Sequence, residues 1–73
     1  MISFLKTIED NIFVFYVFQT FSPGKLKINK KTQEIIIIES SDEEDEDIEE
    51  LKYVVHEFII QQGYPERYIY AWA

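Results

Sequence analysis

The segment Ile12-Phe-Val-Phe-Tyr-Val-Phe18 is β-branched or aromatic at every position. Such side chains pack well on a pleated surface, so the segment reads as a strand. Alternation puts Phe13, Phe15 and Val17 on one side and Ile12, Val14, Tyr16 and Phe18 on the other. Both sides are apolar, which calls for neighbours or cover on both and places the strand in the middle of a sheet. The run is far too short to span a bilayer. Residues 2–9 either extend it or form a separate strand or turn before it.

A hairpin follows. Ser22-Pro23-Gly24 is a turn. Lys25 to Ile28 alternates polar and apolar, as a half-exposed strand does. Asn29 to Thr32 reads as a connecting turn, and Gln33 to Glu39 returns as a second strand with four consecutive isoleucines, Ile35 to Ile38. At least two of these isoleucines are expected to be fully buried in an internal strand.

The period then changes. Ile48, Leu51, Val55, Phe58, Ile59 and Gln62 recur every three or four residues, which marks one helix face. Ser40 and Ser41 each have an acid three residues on, the spacing of a capping box, so the helix is expected to start at 40–42. Gly63 offers a left-handed stop and Pro65 blocks continuation. Arg67 to Ala73 reads as a final strand. Ile69 and Ala71 share one face, expected beneath the helix, and Tyr68, Tyr70 and Trp72 the other, expected away from it. Strand signals followed by one helix define an α+β domain over residues 1–73. Three to four mainly antiparallel strands would pack on one long C-terminal-half helix in the order ββ(β)αβ.

Seventy-three residues give a marginal core, and with no cysteine neither disulfides nor thiolate metal sites can supplement it. Oligomerisation or a bound partner is the remaining supplement. Residues 1–21 are interrupted by Lys6, Glu9 and Asp10 and lack a basic leader or cleavage site, so a soluble cytoplasmic protein is expected.

Charge is concentrated. Nine of the fourteen acidic residues lie between Glu39 and Glu50: Glu39, Asp42, Glu43, Glu44, Asp45, Glu46, Asp47, Glu49 and Glu50. A helix dipole uses two or three carboxylates in its first turn; the rest repel one another by roughly 0.2–0.5 kcal/mol per i,i+4 pair. So dense a block implies a basic protein partner, or else a solvated helix start. The net charge of −7 argues against direct binding of nucleic acid or an anionic membrane. Asp42 to Asp47 lacks the alternating ligands and central glycine of a calcium loop. His56 is the one histidine, and no nucleophile, carboxylate pair or ligand set accompanies it, so neither catalysis, a cofactor nor a metal is expected.

Ile35-Ile-Ile-Ile-Glu-Ser-Ser-Asp-Glu-Glu44 resembles a SUMO-interacting motif, a β-branched core followed by serines and acids. The resemblance covers ten residues and implies docking as an added strand on a SUMO sheet edge. Ser40 and Ser41 likewise resemble acidophilic-kinase sites.

One helix covers only one face of a sheet, so an aromatic patch drawn from Phe13, Phe15, Tyr68, Tyr70 and Trp72 is expected on the other, where a homodimer would form. Two functions follow. The first is an acidic inhibitor or immunity-type protein whose carboxylates occupy the basic site of a nucleic-acid-processing enzyme or toxin, as a nucleic-acid mimic. The second is a self-associating structural or adaptor domain.

Overall fold

The computed structural model describes residues 1–20, 22–40 and 45–71, with backbone alone for 45–47. The elements are β1 (Ile2–Glu9), β2 (Phe13–Gln19), β3 (Pro23–Asn29), β4 (Ile35–Ser40), α1 (Asp45–Gln62) and β5 (Arg67–Tyr70). They form one five-stranded antiparallel sheet in the order β4-β3-β2-β1-β5, with the helix against one face. The fold is α+β, in the order ββββαβ. The sheet has five strands where three or four were expected, because residues 2–9 form a strand of their own.

The two-sided strand β2 sits at the centre of the sheet, as its composition requires. The chain leaves the sheet at one edge, β4, and re-enters at the other, β5. Helix α1 makes that crossing. Its 18 residues span about 27 Å, enough to cover five strands about 4.8 Å apart.

The core lies between helix and sheet. Leu51, Val54, Val55 and Phe58 are buried at helical spacing, over Ile2 and Phe4 of β1, Val14, Tyr16 and Phe18 of β2, and Leu26 and Ile28 of β3. Phe58 is its hub, with ring centroids 5.2 Å from Phe4, 5.3 Å from Tyr16 and 5.1 Å from Tyr68. Burying each such side chain contributes roughly 1.5–3 kcal/mol.

Short polar residues close the turns. Asp10 Oδ1 accepts from the amides of Ile12 (2.8 Å) and Phe13 (2.7 Å), turning β1 into β2. Asn29 Oδ1 accepts from Lys31 (2.9 Å) and Thr32 (3.1 Å) in the β3–β4 turn, where Gln33 takes φ 64°. The helix stops at Gly63, φ 76°, whose amide bonds the Ile59 carbonyl at 2.9 Å.

Three expectations are corrected. Ser40 does not cap the helix: it ends β4, paired with Gly24, and its hydroxyl makes no hydrogen bond among the described residues; α1 is described from Asp45 onward. Ser41 and Asp42 lie outside the described residues. The isoleucine run is an edge strand and not an internal one. Of its four residues only Ile35 is buried; Ile36 and Ile37 are half-buried and Ile38 is 50% exposed. Finally, β5 is turned over relative to expectation. It pairs with β1 so that Phe4 opposes Tyr68 and Ile2 opposes Tyr70. Directly paired residues share a face, so both tyrosines point to the helix with Phe4 and Ile2, and Ile69 points away, 59% exposed.

Candidate functional site

The face of the sheet opposite α1 is uncovered among the described residues. It presents Leu5 and Ile8 from β1, Phe13, Phe15 and Val17 from β2, Ile36 and Ile38 from β4, and Ile69 from β5. Leu5, Ile8, Ile38 and Ile69 are 48–61% exposed. Together the exposed parts form an apolar patch of the kind that marks an interaction site. Single exposed leucines or isoleucines are ordinary; a set drawn from four of the five strands on one face is not.

Two irregularities enlarge the patch. A bulge between Lys6 and Ile8 shifts the parity of β1, so that Ile8 pairs with Phe15 and joins Leu5 on the open face. The Thr7 hydroxyl donates to the Phe15 carbonyl at 3.3 Å within this bulge. A second bulge, between Lys25 and Leu26, leaves Ile38 opposite no residue of β3, beside Phe15, Val17 and Lys25.

The face is also cationic. Among the described strand residues it carries Lys25, Lys27 and Arg67 against one acid, Glu39, in a chain of net charge −7. The Lys25 ammonium lies 3.9 Å from Glu39 Oε2, and the Lys27 ammonium lies 4.6 Å from the centre of the Phe13 ring. Register places five residues in one transverse row, one per strand: Arg67, Leu5, Val17, Lys25 and Glu39. Around this row the sheet surface is hollow.

A separate ion cluster lies at one end of the sheet. Glu9 takes Lys6 at 2.7 Å and Lys30 at 2.8 Å, one on each carboxylate oxygen. The Lys6 ammonium also bonds the Tyr64 carbonyl at 3.0 Å and approaches Glu66 at 3.3 Å. The lysine hydrogen bonds hold Glu9 below the usual carboxylate range, Lys30's being the stronger, and the Glu9 bond raises Lys6. Backbone amides of Phe13 and Ile12 likewise lower Asp10. Tyr16 donates to the Pro65 carbonyl at 2.6 Å, and burial, with Glu9 and Glu66 nearby, drives its hydroxyl far above the ordinary phenol value. Every group here is tied to another in a structural clamp joining β1, the β3–β4 turn and the α1–β5 loop.

Of the residues expected to self-associate, Phe13 and Phe15 lie on the open face, their rings 6.3 Å apart. Tyr68 and Tyr70 lie on the helix side, and Trp72 is outside the described residues. Leu5, Ile8 and Ile69 take the places that the tyrosines were expected to fill. Alternation within β5 separates Ile69 from the tyrosines; which set faces the helix depends on the register with β1, which the sequence does not display.

Among the residues expected to bind a basic partner, Glu39 is exposed at the end of β4, and Glu49 and Glu50 are exposed on the first turns of α1. Asp45, Glu46 and Asp47 belong to the helix by backbone; Asp42, Glu43 and Glu44 lie outside the described residues. His56 is exposed on α1. Among the described residues no group of three or more His, Asp or Glu is arranged to hold a metal ion, and no helix is long and apolar enough to cross a membrane. The strand that resembles a SUMO-interacting motif is paired with β3 along one side and forms the sheet edge along the other.

No protein-family model, curated protein or solved structure matches the chain.

Proposed function

We propose that this chain is a non-enzymatic protein-interaction domain whose working surface is the helix-free face of its sheet. The contiguous apolar patch on that face carries the reading. A domain of 73 residues gains little from leaving aliphatic side chains in water on four strands, whereas covering them with a partner supplements a small core. Few interfaces need more than a central apolar cluster with a polar rim, and Lys25, Glu39 and Arg67 stand at or near the sheet edges as such a rim. A photo-activated cross-linking residue at Leu5 tests the reading in the cells that carry the gene. Cross-linked protein is expected from position 5 and not from Ile60, which is 80% exposed on the far side of the helix. Equal or absent capture at both positions refutes it.

A second reading is favoured by one observation. Glu49 and Glu50 are exposed and, among the described residues, form no ion pair. On that reading the acidic run docks on a basic protein as an inhibitor or immunity-type ligand, and the open face serves stability of the assembly. Replacing Glu43, Glu44, Glu46 and Asp47 by their amides is then expected to slow association steeply at low salt while leaving the fold intact.

A further inference from the structure

We infer that the open face binds a second copy of this chain, in a face-to-face dimer whose two-fold axis runs along β2. The inference rests on the interaction reading above and names its partner.

The transverse row supplies the argument. Across β5, β1, β2, β3 and β4 it reads Arg67, Leu5, Val17, Lys25, Glu39. The cation at one edge and the acid at the other are equidistant in strand number from Val17 on the central strand. A two-fold axis lying between the faces and parallel to β2 exchanges the two edges. Arg67 then meets Glu39 of the second copy, Glu39 meets the second Arg67, and Val17 meets Val17. Leu5 meets the aliphatic stem of the second copy's Lys25, so the row sets opposite charges against each other at its ends and apolar carbon against apolar carbon within, as an isologous interface requires. An axis at right angles to the strands brings like edge over like edge and pairs neither charge.

Both lysines are directed out of the centre. Lys25 reaches toward Glu39 at the β4 edge, and Lys27 lies on the Phe13 ring toward the end of the sheet. Their aliphatic stems lie over the centre of the face and their ammonium groups at its margin, over Phe13 and beside Glu39. Leu5, Ile8, Phe15 and Val17 therefore form an apolar centre with charge at the rim. Aligned packing of two twisted sheets at about 30° keeps the edge side chains within reach of each other.

The area suffices. Five strands about 4.8 Å apart and four to eight residues long cover roughly 500 Å² per face, so two faces bury roughly 1,000 Å² before side-chain relief is counted. That meets the size of a small specific interface.

Charge exchange tests the geometry. The wild-type chain is expected to sediment with a concentration-dependent monomer–dimer equilibrium. Arg67→Glu and Glu39→Arg each place two like-charged contacts in the dimer, and each is expected to weaken it by about tenfold or more. Mixing the two variants restores both opposite-charge contacts in a heterodimer, so the mixture is expected to associate where neither variant does alone. Both positions are exposed, and circular dichroism checks that each variant folds. Leu5→Asp, at a 48% exposed position, is expected to abolish dimers altogether. A chain that stays monomeric at every concentration overturns the inference, as does a dimer indifferent to Leu5→Asp or a mixture no tighter than its parts. If the cross-linker at Leu5 captures a different protein instead of this chain, the interaction reading stands and the dimer falls; if it captures nothing, both fall.

Discussion

The ring of Phe18 occupies the space that a side chain at Gly24 would need. The two residues are direct cross-strand partners of β2 and β3, and a Cβ at position 24 would collide with the ring and lie 2.8 Å from the Glu39 carbonyl oxygen. Phe18 thus fills the gap left by the glycine and stays buried itself. Gly24→Ala is expected to destabilise the domain by roughly 1–3 kcal/mol, measured by urea denaturation. Phe18→Leu in the same chain is expected to return part of that loss, since the strain is shared with backbone that the second change does not move.

Tyr16 is 1% exposed and its hydroxyl donates to the Pro65 carbonyl at 2.6 Å. Tyr16→Phe keeps the ring on Phe58 and removes the bond, leaving a half-buried carbonyl without its donor. A loss of about 1–2 kcal/mol in thermal or chemical unfolding is expected. No measurable loss would show that solvent reaches Pro65 freely.

The ion cluster has a pH signature. Glu9 is held below its ordinary value of 4.5 by Lys30 and Lys6. Its contribution to stability is therefore complete above pH 4.5 and is lost as the pH falls through the lower folded-state value. Glu9→Gln is expected to cost no more than about 1 kcal/mol at pH 7, because solvent reaches the carboxylate. The difference between wild type and variant should close on acidification below that window. A difference that persists at pH 2 would mean the loss is one of packing, not charge.

Much of this fold is legible in the residues. The centre strand, the β3–β4 hairpin, the helix stripe and the Gly63 stop each follow from a local pattern. Parity is what stays hidden. The β1 bulge moves Ile8 to the open face, and the register of β5 with β1 sends Tyr68 and Tyr70 to the helix. Neither is local: each depends on which residues of a distant strand lie opposite. The same holds for the row from Arg67 to Glu39, which joins residues of five strands and has no sequence signature. The isoleucine run misleads for a related reason. Four identical residues carry no alternation, so nothing in them says which face is covered or that the strand is an edge.

That edge position makes neighbouring isoleucines separable by experiment. Ile35 is 7% exposed beneath the helix, whereas Ile38 is 50% exposed on the opposite face at a bulge. Ile35→Ala removes buried methylenes from the core and is expected to cost about 2–4 kcal/mol in urea unfolding of the monomer. Ile38→Ala removes side chain already half in water and is expected to cost less than about 1 kcal/mol. Ile38→Asp should still fold, and Ile35→Asp should not, because a carboxylate there is buried among apolar groups with no partner. Equal costs at the two positions in the isolated monomer would mean that the open face is covered within a single chain. A large cost at Ile38 that appears only at concentrations where the chain associates would place that residue in the contact between copies.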